Sequence, residues 1–120
     1  MSQVTSSLGG VPGILTRDEL ATSASYLAGL QLPSGQIPWF VGGHSDPWNH
    51  VEAAMALTVA GYEEEARAAY RWLAATQLGD GSWFNVRASN TEPLLRLNVE
   101  APDAERMAAV RDEALAVIRG

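Results

Sequence analysis

A duplicated string constrains this chain more than any other feature. Leu27-x-x-x-Gln31-x-x-x-Gly35 is followed by Trp39 and Phe40, and Leu73-x-x-x-Gln77-x-x-x-Gly81 by Trp83 and Phe84. By the numbering, Gln31 and Gln77 stand 46 apart, a period suited to a unit of two helices. The flanking residues supply the helices. Thr16-Arg17-Asp18-Glu19 reads as a capping box, and Leu20, Ala24, Leu27 and Gln31 continue it as one stripe, so a first helix is expected over 17–31. A loop rich in Gly, Pro and Trp runs from Leu32 to Asp46. Asp46 then caps a second helix over 47–60, with Pro47 in its first turn and Gly61 as its stop. A third helix over 62–77 begins with Glu63, Glu64 and Glu65, which suit the positive end of the helix dipole. Leu27, Val51, Met55, Tyr70 and Leu73 are the expected buried residues of this hairpin.

The duplicated Gln, Gly and Trp pattern resembles the repeat of the squalene-cyclase and prenyltransferase-like α/α toroids. The resemblance implies a structural role, the glutamine and tryptophan tying the end of an outer helix to the turn after it. It implies no activity, because the acid motif of the terpene cyclases and the zinc ligands of the protein prenyltransferases are both absent. A prenyltransferase- or terpenoid-cyclase-like fragment with a structural or binding role is therefore one reading of the helical part. Between the repeats, His44, Asp46, His50 and Glu52 could form a metal site or an acid/base group. The plainer alternative is that Asp46 caps the helix, Trp48 packs and the histidines bond locally. His50 and Glu52 are two apart on a helix and do not share a face.

After Gly81 the period changes. Residues 82–87 and 94–101 read as strands; Leu95, Leu97 and Val99 face one way and Arg96, Asn98 and Glu100 the other. Pro102 opens a last helix, over about 103–119, with Met107, Val110, Ala114 and Val117 as its stripe. Between the strands, Arg87-Ala88-Ser89-Asn90-Thr91-Glu92-Pro93 offers a guanidinium, two hydroxyls, an amide and backbone N–H groups, a set suited to a phosphate. From Trp83 to Ala101 the run resembles the C-terminal phosphate-binding loop of the phosphohexomutases, phosphomannomutases above all, and the resemblance covers residues 82–120. It implies that Arg87, with Ser89, Asn90 and Thr91, binds the phosphate of a sugar phosphate. Arg96, on the polar face of the second strand, is expected in a surface ion pair. That family uses Mg²⁺, but the chain has no phosphoserine loop, no Asp-Gly-Asp metal loop and no sugar-reading loop. No catalytic residue, metal ligand or bound cofactor is therefore assigned, and phosphoryl transfer by this chain alone is not expected.

The whole reads as a mixed α+β chain: a flexible start (1–15), a toroid-like helical repeat (16–81) and the end of a mutase C-terminal domain (82–120). The two patterns join at Asp80-Gly81-Ser82-Trp83-Phe84, where both families carry a Gly/Trp string. Three accounts fit: a chimera left by recombination or an assembly artefact, a genuine small fusion, and a non-catalytic phosphosugar-binding module. The formal charge of −6 argues against nucleic acid or a polybasic membrane anchor. With no cysteine and no apolar run near the roughly 20 residues that span a bilayer, a cytoplasmic location is expected. The first 13 residues lack the charge and apolar stretch of a secretory signal. The expected partners are a weakly bound sugar phosphate and other copies of the chain, met through exposed apolar faces.

Overall fold

The computed structural model describes residues 9–89 and 91–120. Its elements are α1 (Arg17–Leu30), α2 (Pro47–Val59), α3 (Glu63–Thr76), β1 (Trp83–Ala88), β2 (Leu95–Glu100) and α4 (Ala104–Arg119). The mixed α+β class and the element order follow the sequence reading. The chain divides into two compact units, with the boundary between Ala74 and Ala75.

In the first unit, local chemistry sets each helix end. The Thr16 hydroxyl accepts the Glu19 N–H at 3.1 Å, and the Glu19 carboxylate accepts the Thr16 N–H at 2.7 Å. The Thr16 N–H and the Thr16 hydroxyl, both donating to the carboxylate, hold the Glu19 carboxyl below its ordinary range. Asp46 accepts the Asn49 N–H at 3.0 Å ahead of Pro47. α2 ends in a Schellman motif: Tyr62 N–H reaches Leu57 C=O at 2.9 Å and Gly61 N–H reaches Thr58 C=O at 3.1 Å, with Gly61 at φ 89°.

The core of this unit is Leu30, Ile37, Ala54, Leu57, Ala66 and Ala69, with Leu27, Ala28, Ala53 and Tyr62 packed against it. Met55 and Tyr70, expected inside, are instead 57% and 41% exposed. Val51 and Leu73 are half-buried. The buried stripe of α2 is His50, Ala54 and Leu57, on a different side of the helix from Met55 and Val59. Ala54, Ala66 and Ala69 fill the core with small side chains, while the larger Met55 and Tyr70 stay exposed.

The duplicated string is duplicated in geometry. Gln31 Nε2 donates to Gly35 C=O at 3.0 Å and Gln77 Nε2 to Gly81 C=O at 2.9 Å. Leu32 N–H meets Gln36 C=O and Leu78 N–H meets Ser82 C=O, each at 2.8 Å. Gly35 and Gly81 both take left-handed backbone, φ 96° and 87°. Gln31 also donates to Glu65 C=O at 2.8 Å, tying the loop after α1 to α3. The tryptophans are not equivalent: Trp83 follows Gly81 by two residues and opens β1, whereas Trp39 follows Gly35 by four and lies in a loop turn.

The second unit is an antiparallel hairpin with α4. Its register pairs Trp83 with Glu100, Asn85 with Asn98 and Arg87 with Arg96 on one face. The other face pairs Phe84 with Val99, Val86 with Leu97 and Ala88 with Leu95. Asp103 caps α4 by accepting the Arg106 N–H at 2.8 Å. Phe84, Val86, Val110, Ala114, Val117 and Ile118 line an open apolar groove. Two strands and one helix are too few to close a core over that face. No helix among the described residues is long and apolar enough to cross a membrane.

Candidate phosphate-binding hairpin

The sequence-derived site falls at the turn joining β1 to β2. Arg87 and Ser89 are two apart in extended backbone, so their side chains share the polar face of the hairpin. The register sets Arg96 directly across from Arg87 on that face. Ser89 N–H closes the turn on Leu94 C=O at 2.9 Å, and Leu94 N–H meets Glu92 C=O at 2.8 Å. The Ser89 hydroxyl lies 3.4 Å from the Thr91 N–H, the Thr91 hydroxyl and Arg96 Nε, three long contacts converging on one oxygen. Asn90, the remaining residue of the expected set, lies outside the described residues. The structure thus gathers Ser89, Thr91 and Arg96 and sets Arg87 alongside.

Arg96 fulfils its expected ion pair, with Glu92 Oε2 at 3.0 Å. Both side chains are about half exposed, so the pair contributes little, roughly 0–1 kcal/mol. Its nearness to Ser89 was absent from the sequence reading. A hairpin closed at Ser89 and Leu94 puts positions 87 and 96 opposite each other, and that count was the available signal. Two arginines directly opposite repel each other in the isolated hairpin. The turn thus sets two arginines across the hairpin in a chain that is acidic overall, with Glu92 paired to Arg96.

The other candidate cluster disperses. His50 is buried, accepting the Ile37 N–H on Nδ1 at 3.2 Å and placing Nε2 2.7 Å from Ala69 C=O, an arrangement that one tautomer meets. Its ring lies 4.7 Å from that of Trp72. Glu52 accepts the Trp48 indole N–H at 2.7 Å, and Trp48 is 67% exposed rather than packed. Asp46 accepts the Trp39 indole N–H at 2.7 Å and both the backbone and side-chain N–H of Asn49. The His44 ring lies tilted against Trp39 and edge to face with Phe40. Of the plainer alternative, the Asp46 cap holds, whereas Trp48 is exposed and His50 bonds backbone groups distant in sequence. Among the described residues no three His, Asp or Glu side chains gather to hold a metal ion.

Burial pushes the Asp46 carboxyl up, but the bonds from Asn49 and Trp39 and the nearby His44 outweigh it, leaving the group below its ordinary value of 3.8. A depressed carboxyl contributes stability above its unfolded value and loses it as pH falls through the folded one. Asp46→Ala is expected to cost about 1–2 kcal/mol at pH 7, the range of a lost helix cap. The gap from wild type should narrow below about pH 4. Urea unfolding at pH 7 and pH 3 checks both statements.

Similarity to known proteins crosses the boundary between the two units. Residues 52–117 match the family described as phosphoglucomutase/phosphomannomutase, C-terminal domain. That match takes in most of α2 and all of α3, reaching further toward the N-terminus than the motifs did. The chain is 72% identical over 25 residues to a phosphomannomutase of Methanocaldococcus jannaschii, covering 21% of this chain and 6% of that protein. It is 49% identical over 43 residues to a probable phosphoglucosamine mutase of Methanopyrus kandleri, covering 36% and 9%. It is also 60% identical over 74 residues to the MMP endo-(1,4)-3-O-methyl-alpha-D-mannosidase of Mycolicibacterium hassiacum, covering 62% and 21%. The chain therefore spans about a fifth or less of each of these curated relatives. With more than half of its residues inside the matched region, and with the hairpin and helix described above, the chain belongs to the phosphoglucomutase/phosphomannomutase C-terminal-domain family.

Proposed function

We propose that the hairpin turn is a phosphosugar-binding segment of phosphohexomutase type, with Arg87, Ser89, Asn90 and Thr91 as the phosphate ligands. The observation that carries the reading is the register of Arg87 against Arg96, with the Ser89 hydroxyl in long contact with Thr91 and with the Arg96 guanidinium. A phosphate between them would relieve the repulsion of the two charges and accept from both sides of the turn. The mutase relatives support the sugar-phosphate class. A few charge-assisted contacts of roughly 1.5–3 kcal/mol on an exposed loop give affinity of about millimolar. Holding a non-reacting phosphate is not phosphoryl transfer, which also requires a positioned metal and donor.

NMR titration with mannose 6-phosphate tests the site. The amides of Ser89, Asn90 and Thr91 are expected to shift and those of His44 to Glu52 to stay. Arg87→Ala is expected to weaken binding about tenfold or more, and Arg96→Ala, whose guanidinium is shared with Glu92, less. Shifts confined to the His44 segment would place the site in the wrong unit. With Mg²⁺, a hexose 1,6-bisphosphate and mannose 1-phosphate, this 120-residue chain alone is expected to show no mutase turnover.

A second reading concerns the helical unit. Any 74-residue stretch of this chain necessarily includes residues 47–74, so the mannosidase likeness takes in α2 and most of α3. On that observation the helical unit is a piece of a mannosidase-like protein that contacts a methylated α-mannoside. Two relatives of mutase type and one mannosidase also support an origin from two parents. The duplicated Gln–Gly bonds support an α/α repeat, and the prenyltransferase reading gains nothing from these relatives. The open apolar groove between the hairpin and α4 supports self-association as the expected oligomeric behaviour.

A further inference from the structure

The loop between α1 and α2 holds a tight turn with its aromatic side chains turned outward. Gly43 N–H meets Phe40 C=O at 2.8 Å and Trp39 N–H meets His44 C=O at 2.9 Å. Gly42, at φ 76°, supplies the left-handed position such a turn requires. The Phe40 ring lies against Gly43 so closely that a Cβ there would come within 2.9 Å of it. Trp39, Phe40 and Val41 are nevertheless 42%, 47% and 83% exposed. Three consecutive apolar residues on a braced turn are poor solvent-facing surface and good contact surface.

The polar groups around the turn are arranged to fix the rings. The Trp39 indole N–H is held at 2.7 Å by Asp46, itself only 5% exposed. The His44 ring sits 4.5 Å from Trp39 and 6.0 Å, edge to face, from Phe40. Its Nε2 is buried with no hydrogen-bond partner among the described residues. Residues 39–52 carry Asp46 and Glu52 and no arginine or lysine, so the surface does not attract phosphate, anionic lipid or an acidic chain. Flat aromatic faces with a polar rim suit a neutral ligand with an apolar C–H face and hydroxyls at its edge.

We infer that the Trp39–His44 turn is a carbohydrate-contact site, stacking the C–H face of a neutral mannoside on the exposed Trp39 and Phe40 rings, with His44 bracing both from beneath. This inference rests on the mannoside reading of the helical unit and names its place of contact. An O-methyl group on the sugar strengthens the contact by adding apolar surface against the rings.

The test is an NMR titration of the full chain with an α-(1,4)-linked 3-O-methylmannose tetrasaccharide and, separately, the unmethylated tetrasaccharide. The Trp39 indole N–H and the His44 ring signals are expected to shift and saturate, and the Trp48 indole to stay still. The methylated sugar is expected to bind several-fold more tightly. Phe40→Ala and Val41→Ser, both outward-facing, are expected to weaken binding about tenfold and severalfold without altering the circular dichroism. Trp39→Phe keeps a stacking ring and is expected to retain part of the affinity. Saturable binding whose shifts fall elsewhere in the helical unit would overturn this site and leave the mannoside reading standing. No binding of either sugar to the folded chain would overturn both.

Discussion

Gly35→Ala is expected to lower the stability of the helical unit by about 4 kcal/mol. Two costs combine there, each of roughly 1–3 kcal/mol. The backbone at Gly35 has φ 96°, a conformation that side chains with a Cβ rarely adopt. A methyl at that place would also lie 2.2 Å from the Ala68 carbonyl oxygen, inside any tolerable contact, and α3 would have to move away. Such a move also breaks the Gln31 bond to Glu65 C=O, because that bond measures the same approach of loop to helix. Gly29→Ala in α1 is the control, since nothing lies within 4 Å of its added methyl. It is expected to stabilise by about 0.5–1 kcal/mol through helix propensity. Urea unfolding monitored at a helical wavelength reads both, and equal effects at the two glycines would show that the close approach does not matter.

The sequence made the elements legible because each is bounded by chemistry that acts locally. The Thr16–Glu19 capping box, Asp46 with Pro47, Gly61 and Asp103 with its helix start all act within a few residues. The hairpin was legible from the alternation in Leu95–Glu100 and the turn residues before it. Which side of α2 faces inward was not. A stripe of His50, Ala54 and Leu57 scores as less apolar than Val51, Met55 and Val59, yet it is buried. Small side chains and a bonded imidazole fill the space between close helices, and pattern counting favours large apolar residues instead.

The candidate site was legible in its residue types and not in its pairing. Arg87, Ser89 and Thr91 are neighbours along the chain, so their nearness needs no tertiary information. Arg96 reaches the same turn only through register, a property of two strands together. The His44, Asp46, His50 and Glu52 group shows the converse. Their closeness along the chain suggested one cluster, but a helix start sends successive side chains to different sides. Asp46 turns back to Trp39, Glu52 meets Trp48, and His50 enters the core.

His50→Leu is expected to cost about 3 kcal/mol, although leucine is the more apolar side chain. The imidazole is 1% exposed and bonds two backbone groups far apart in sequence, the Ile37 N–H and the Ala69 carbonyl. Leucine fills much of the same space but leaves the buried Ile37 N–H unmatched, at about 1–3 kcal/mol, and strips the Ala69 carbonyl of the second bond it makes beyond the α3 ladder. The gain from burying apolar surface offsets only part of that. His50→Asn can present an acceptor near the place of Nδ1, and His50→Gln a donor near the place of Nε2. Each is expected to recover part of the loss, and the Asn variant alone to restore slow hydrogen exchange at the Ile37 amide. That amide separates the bonding role from simple packing. If the leucine variant unfolds at the wild-type urea midpoint with Ile37 still protected, the ring serves only to fill volume between the loop, α2 and α3.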